Sequence, residues 1–74
     1  MRILAFASAR DGAGFSEIDA VVTPAETPRE ILSRIAPRLV LEGVRLALDY
    51  EYCSPDAPVG EAREMAIIPP VSGG

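Results

Sequence analysis

Two kinds of hydrophobic spacing alternate along this chain, and together they predict strands arranged around one helix. From Arg2 to Ala9 apolar residues occupy both parities, which is typical of a strand covered on both faces. A second strand is predicted from Phe15 to Val22, with the parity of Ile18 facing inward. The glycine-rich segment 10–14 between these strands is predicted to be a turn, so the two would form a hairpin.

The clearest local signal is a helix start at Thr27. Thr27 and Glu30 have the spacing of a capping box, in which each side chain bonds to the other residue's backbone N–H, and Pro28 suits the first helical position. Pro37 disfavours helical geometry at the preceding residue, so the helix is predicted to end or kink there. One apolar stripe runs along it, made of Ile31, Leu32, Ile35 and Ala36.

Strand-like spacing returns after the helix. Residues 38–43 are predicted to form a short turn closed by a glycine, and the alternation from Val44 to Tyr52 predicts a central strand, bent near Asp49. Residues 53–60 contain two prolines and are predicted to be a loop or a short edge segment. The apolar run from Glu64 to Ile68 predicts the last strand.

This order of hairpin, helix and further strands favours an α+β fold. If the last strand lies beside the first, the chain becomes a mixed sheet of four or five strands with one main helix packed on one face, which is the β-grasp arrangement. The other face of such a sheet is left partly open. We therefore expect one domain over residues 1–68, followed by a C-terminal segment over residues 69–74.

That segment reads Pro69-Pro70-Val71-Ser72-Gly73-Gly74. The prolines cannot donate ladder hydrogen bonds, so they end the strand and favour an extended, polyproline-like exit. Gly73 and Gly74 lack a Cβ, so their backbone fits a slot too narrow for any side chain. Six residues reach roughly 20 Å. We predict a functional terminus that ends in a reactive carboxylate, the alternative being a glycine-rich end without function.

Composition predicts a partner. Of the 74 residues 49% are hydrophobic, whereas a domain of this size buries only about 60% of its extended surface. An exposed apolar patch is therefore expected. The net charge is −4 and the basic residues are all arginine, which disfavours nucleic-acid binding and suits a partner with a basic face.

The chain is poorly equipped to be an enzyme alone. It has no histidine, and Cys53 is its single cysteine, which excludes Ser-His and Cys-His nucleophiles and a multi-ligand zinc site. An intramolecular disulfide is impossible, and neither a signal peptide nor a membrane span is recognisable. We expect a cytoplasmic domain.

Both ends of the chain resemble the MoaD family, the small sulfur-carrier subunit of molybdopterin synthase, which is ubiquitin-like and related to ThiS. The family's tail reads apolar-apolar-Pro-Pro-Val-(Thr or Ser)-Gly-Gly, and residues 67–74 match it throughout. The strand Ile3–Ala9, closing at Arg10, carries the other specific part of the resemblance, and the capped helix and the Leu46-Ala47-Leu48-Asp49 strand match in order and type. The sequence departs from the family in having Asp49 where members usually have Asn, and Gly60-Glu61-Ala62-Arg63-Glu64 in place of an Asp-Gly-Asp-Glu-type turn.

The resemblance implies a mechanism in which this chain binds no cofactor or metal itself. A MoeB-like partner, similar to the ubiquitin-activating enzymes, uses ATP and Mg²⁺ to adenylate the Gly74 carboxylate, and sulfur then displaces AMP to leave a thiocarboxylate. The tail next enters a MoaE-like large synthase subunit and donates sulfur to the pterin precursor. The chain would thus be a non-catalytic subunit whose chemistry takes place at Gly74 beside Gly73.

The resemblance also implies a docking surface beside the tail. Its apolar patch falls by alignment on Phe6, Tyr52 and Ile68, although ordinary core is an alternative for Phe6. Arg10 would pair with the partner or remain a solvated turn charge. Cys53 is predicted to be a structural thiol. The implied partner-binding set is completed by the tail residues Pro69, Pro70, Val71 and Ser72, and Glu61 and Glu64 would be solvated or partner-facing.

Other functions share this tail chemistry. A MoaD-like carrier could serve tRNA thiolation, thiamine synthesis or cysteine synthesis. A ubiquitin-like modifier would instead be conjugated through Gly74 to lysines of other proteins, and the lack of lysine here excludes self-chains linked through lysine side chains. A third possibility is a β-grasp interaction module with an inert tail.

Overall fold

The computed structural model describes residues 1–70, so the predicted roles of Val71, Ser72, Gly73 and Gly74 fall outside the described residues. Within residues 1–70 there are five strands and two α-helices. The strands are β1 (Arg2–Ala5), β2 (Glu17–Asp19), β3 (Arg45–Leu48), β4 (Glu51–Cys53) and β5 (Glu64–Ile68). The helices are α1 (Ala9–Ala13) and α2 (Pro28–Ile35), and a 3₁₀ turn spans Leu41–Gly43.

The strands form one mixed sheet in the order β2-β1-β5-β3-β4. The last strand, β5, lies at the centre, parallel to β1 and antiparallel to β3. The two edge pairs, β1 with β2 and β3 with β4, are antiparallel. The α+β prediction, with the last strand beside the first, is confirmed.

The N-terminal segment differs from the sequence prediction. The predicted strand Arg2–Ala9 ends at Ala5, and segment 10–14, predicted to be a turn, belongs mostly to α1. Ala7 takes a positive φ of 48°, which turns the chain out of the strand. The helix ends at Gly14, whose φ is 85° and whose N–H donates to the Arg10 carbonyl at 2.8 Å. Alanine and arginine favour helix, and a left-handed glycine ends it, which explains the difference.

The glycine within α1 serves close packing and not a turn. A Cβ added at Gly12 would lie 3.1 Å from Leu39 Cδ1. Real Cβ atoms seldom approach a neighbour so closely, so a glycine here lets α1 lie against the segment that follows α2. Glycine at this position therefore serves the packing of a helix and not the predicted turn.

The second strand is shorter than predicted but has the predicted orientation. Only Glu17–Asp19 pairs with β1, and Ile18 is the half-buried residue that packs against the core. Glu17 and Asp19 point outward, and Glu17 binds Arg2 of β1 through two contacts of 3.0 and 3.1 Å. The two strands pair antiparallel as predicted, although α1 connects them instead of a tight turn.

The capping box of α2 is confirmed. Thr27 Oγ1 accepts a hydrogen bond from the Glu30 N–H at 3.2 Å, and Glu30 Oε1 accepts from the Thr27 N–H at 2.9 Å. The helix ends at Ile35, one residue before the predicted end, and the Ala36 N–H closes it by donating to the Leu32 carbonyl. Its buried stripe faces the sheet.

The predicted central strand Val44–Tyr52 is instead a hairpin of β3 and β4. Asp49 and Tyr50 form the connection, with φ values of 47° and 73°. Two positive φ values in succession match the right-handed twist of flanking strands, as in a type I′ turn. Tyr52 pairs with Ala47 and therefore shares its face of the sheet, whereas Cys53 pairs with Leu46. In an unbroken strand, Tyr52 would instead have shared the face of Leu46.

The core lies between α2 and one face of the sheet. Along β5 the side chains of Met65 and Ile67 are fully buried, whereas Ala66 and Ile68 are half-buried on the other face. The main core residues are Ile3, Ala5, Leu46, Met65 and Ile67 from the sheet and Ile31, Leu32 and Ala36 from α2 and its end. The opposite face of the sheet is not covered by α2 and is called the open face below. In the described part of the chain no helix is long and apolar enough to cross a membrane.

Candidate functional site

A depression of about 300 Å³ lies on this open face of the sheet. Ala66 of β5 and Ala47 of β3 are paired neighbours, and Tyr52 of β4 pairs with Ala47. Alanine side chains are short, so these central positions leave a low floor while larger side chains rise around it. The lining residues are Phe6, Ala47, Tyr50, Tyr52, Glu64, Ala66 and Ile68.

The structure brings together the three residues predicted for the docking patch, since Phe6, Tyr52 and Ile68 all line this depression. Phe6 is 47% exposed and Tyr52 is 67% exposed, so neither belongs to the core. The Phe6 N–H donates to the Ile67 carbonyl at 3.0 Å, which ties the residue beyond β1 to the end of β5. The alternative of ordinary core for Phe6 is therefore wrong, while its contact with a partner stays a prediction.

Arg10 lies elsewhere than the sequence predicted. It belongs to α1 and not to the end of the first strand, and its exposed side chain donates from Nε to the Ala7 carbonyl at 3.3 Å. It does not line the depression. An ion pair between Arg10 and a partner stays a prediction.

One charged residue lines the depression and a second lies beside it. The Arg45 guanidinium lies 4.9 Å from the centre of the Tyr52 ring, within cation–π range. Arg45 is also the pairing partner of Ile68, the last residue of β5, so this cation lies where the chain leaves the sheet. Glu64 is the carboxylate among the lining residues. A complementary partner surface would combine an apolar centre with a cation opposite Glu64.

Asp49 supports this face in a way that the sequence patterns did not reveal. Its Oδ1 accepts hydrogen bonds from the Arg63 and Glu64 N–H groups, each at 3.0 Å, and its own N–H donates to the Glu64 carbonyl at 2.9 Å. These bonds fasten the β3–β4 turn to the start of β5. An asparagine oxygen could accept the same bonds, so the departure from the Asn of the MoaD family keeps this function.

We expect Asp49→Ala to lower the free energy of unfolding by about 1–2 kcal/mol, because two backbone donors lose a charged acceptor. Alanine also tolerates positive φ less well than aspartate. Urea unfolding followed by circular dichroism measures the change. Asp49→Asn is the control and should stay close to the wild type, and an equal loss in both variants would contradict this account.

Cys53 has the surroundings of a structural thiol. It ends β4, is half-buried and packs against the core. Burial raises the pKa of its thiol, so the nucleophilic thiolate is disfavoured at neutral pH. Among residues 1–70 no group of three or more His, Cys, Asp and Glu side chains is placed to hold a metal ion.

The depression lies next to the root of the C-terminal segment. Ile68 lines it, and Pro69 and Pro70 follow immediately, the first half-buried and the second exposed. Any molecule that binds residues beyond 70 while resting against this root is therefore close to the depression. Together the fold and this face define a β-grasp protein with an open sheet surface, whose last strand is followed in the sequence by a segment that ends in Gly-Gly.

The chain belongs to the ThiS family, whose model matches residues 3–74. It is thus a member of the ThiS/MoaD-like sulfur-carrier family, which confirms the resemblance seen in the sequence. A relative from Arabidopsis thaliana, named molybdopterin synthase sulfur carrier subunit, is 35% identical over 79 aligned positions. The alignment covers 100% of this chain and 82% of the relative.

Solved structures support the fold independently. SAMP1 from Haloferax volcanii superposes with a TM-score of 0.72 at 21% identity, covering 99% of this chain and 97% of that one. A putative molybdopterin converting factor, subunit 1, from Pyrococcus furiosus gives a TM-score of 0.72 at 20% identity, with 95% of each chain covered. At such low identities these likenesses establish the shared β-grasp fold.

Proposed function

We propose that this chain is the sulfur-carrier subunit of a molybdopterin synthase. The main support is its likeness to the Arabidopsis sulfur carrier subunit, because the aligned region includes the whole of this chain. The structure adds a second support, since β5 leads from the open face directly into Pro69, Pro70 and the Gly-Gly end. The same strand would therefore link the surface that binds a partner to the group that carries sulfur.

The chemistry is confined to the terminal carboxylate of Gly74. A MoeB-like activating enzyme, which supplies ATP and Mg²⁺, joins this carboxylate to AMP and releases pyrophosphate. Sulfide (HS⁻) then attacks the acyl carbon, AMP leaves with the bonding electron pair, and a thiocarboxylate remains after loss of the sulfur-bound proton. Glycine at positions 73 and 74 keeps the acyl carbon free of side chains on the approach path of the nucleophile.

The proposed occupant of the open face is the MoaE-like large subunit of the synthase. Continuity along the chain supports this assignment, because a protein that takes the tail into its active site comes within roughly 20 Å of Ile68 and the depression beside it. Phe6 and Tyr52 supply apolar contact, and Glu64 offers a carboxylate to a basic side chain. The tail would pass through a channel of the large subunit towards its active site, and the residues within that channel would be Pro69, Pro70, Val71 and Ser72. The prolines would limit the entropy lost on binding.

Intact-mass spectrometry tests the carrier function. After incubation with the activating enzyme, ATP, Mg²⁺ and a sulfur source, the chain should gain the mass difference between one sulfur and one oxygen atom. A parallel reaction without ATP is the control and should leave the mass unchanged. If no activating enzyme of the same organism produces the shift, the chain is not a sulfur carrier.

A binding experiment separates the pathways. The thiocarboxylated chain is offered to the large molybdopterin synthase subunit of the same organism and to its thiamine-pathway counterpart, because the matching family model is that of ThiS. Sulfur transfer to the first partner alone supports the proposal. Transfer to the second alone would assign the carrier to thiamine synthesis, and stable adducts on lysines of other proteins would indicate a modifier.

A further inference from the structure

The β3–β4 turn contains a residue that neither the backbone nor the core explains. Tyr50 is the second residue of the turn and has a φ of 73°, where an L side chain is strained and glycine is favoured. The chain does use glycine at two other positions of positive φ, Gly14 and Gly60. A bulky aromatic residue at position 50 is therefore an unfavourable choice for the turn itself.

The other turn residue has a structural reason for its identity, and Tyr50 has none of that kind. Asp49 accepts the two backbone hydrogen bonds that fasten the turn to β5. Tyr50 is 90% exposed, and among residues 1–70 its hydroxyl forms no hydrogen bond. Its ring thus contributes little to packing, so no contact within the described residues compensates for the strained backbone.

The position of the ring does suggest a reason. Tyr50 lines the same depression as Phe6, Tyr52 and Ile68, on the side where the β3–β4 turn raises the rim. Tyrosine is enriched at protein interfaces, because it offers a large apolar area and a hydroxyl at a small entropic cost. We propose that Tyr50 is a partner-contacting residue of the open face, kept at the expense of backbone strain to widen the aromatic rim against the large synthase subunit.

This inference rests on the proposed function, since it names a further residue of the same docking face. It predicts different effects of one substitution on the stability of the protein and on its affinity for the partner. Replacing Tyr50 with glycine should relieve the backbone strain of the turn and weaken the complex with the partner. If Tyr50 were only structural, the same substitution would lower the stability of the protein. The substitution should therefore lower affinity without lowering stability.

The test compares wild type, Tyr50→Gly and Val21→Ser, using isothermal titration calorimetry with the large molybdopterin synthase subunit of the same organism. Tyr50→Gly should weaken the complex by roughly ten-fold, the effect typical of a contacting tyrosine. Its thermal midpoint should be unchanged or up to about 4 °C higher. Val21 is a matched control, because it is 94% exposed and its carbonyl accepts from Arg34 of α2, away from the open face.

The outcomes separate this inference from the proposed function. Unchanged affinity of Tyr50→Gly beside a binding wild type would overturn the role of Tyr50 and leave the carrier function standing. An equal loss in Val21→Ser would overturn it as well, because the effect would then be a general one of exposed apolar area. A midpoint several degrees lower in Tyr50→Gly would show that the ring serves the fold. If the wild type is thiocarboxylated and does not bind the large subunit, the proposed pathway fails and this inference falls with it.

Discussion

Deleting Gly74 is expected to abolish thiocarboxylate formation while leaving the unfolding transition unchanged. Deletion shortens the tail by about 3.3–3.6 Å, so the new terminal carboxylate no longer reaches the position at which ATP and sulfur react. Misplacement by a single ångström can already cost about a hundred-fold in rate. The hydrophobic core is formed by residues between Ile3 and Ile67, so the domain itself should fold normally. Intact-mass spectrometry with the activating enzyme reads the loss directly.

A glycine-to-alanine pair provides the control. Gly74→Ala places a methyl group beside the acyl carbon and should also abolish the mass shift. Gly43→Ala makes the same chemical change where the structure has room, since a Cβ at Gly43 meets no atom within 4 Å. We expect full conversion of Gly43→Ala to the thiocarboxylate and no conversion of Gly74→Ala. Efficient conversion of both variants would contradict the requirement for a terminal residue without a side chain.

The second large effect is expected at two adjacent residues of β5 that face opposite ways. Ile67→Ala should lower the free energy of unfolding by about 2–5 kcal/mol, because the side chain is fully buried between α2 and the sheet. A domain of this length has only about 4–11 kcal/mol of stability in total. The milder Ile67→Val, at about 0.5–1.5 kcal/mol, keeps the measurement possible should the alanine variant not fold.

Ile68→Ala is the matched partner of this change. It removes the same atoms from the half-buried open face, so its effect on urea unfolding should be smaller than that of Ile67→Ala. The proposed docking role predicts that Ile68→Ala weakens binding of the large synthase subunit, measured by calorimetry, while Ile67→Val leaves it unchanged. Equal destabilisation by the two alanine variants would contradict the assignment of the two faces.

Features that depend on local chemistry or on a long pattern could be predicted from the sequence. The capping box at Thr27 and Glu30 is a local exchange of hydrogen bonds, so it needs no tertiary information. The apolar run of Met65, Ala66, Ile67 and Ile68 before two prolines likewise predicted the last strand and its end. With Pro37 limiting the helix, these signals were enough for the β-grasp fold.

The turn at Asp49 and Tyr50 could not be predicted in the same way. Its strands have only four and three residues, and their apolar alternation continues across the connection. A hairpin of this type is usually marked by Asn-Gly or Asp-Gly, and Asp-Tyr carries no such mark. In a continuous strand Tyr50 and Tyr52 would share the face of Leu46, so the pattern alone gave no reason to assign them to the open face, and Tyr52 was assigned to the docking patch only through the resemblance.

The candidate site depended on the resemblance more than on the pattern. Phe6, Tyr52 and Ile68 lie on three different segments, and only strand order and register bring them to one depression. The alanines beneath them gave no signal, because Ala47 and Ala66 also suit a buried strand. Arg10 was misplaced for a related reason, since the strand that was expected to end beside it turns into α1 at Ala7.

The central position of β5 also governs how the chain reaches its native state. β5 pairs with β1 from Arg2 and Glu64 onward, so the innermost ladder joins segments separated by most of the sequence. Contacts between such distant segments carry a large loop-closure entropy and slow the crossing of the folding barrier. The β3–β4 hairpin and α2 can form from nearby residues beforehand. We therefore expect insertion of β5 to be the late, rate-limiting event, and the open face with its depression to exist only once it is complete.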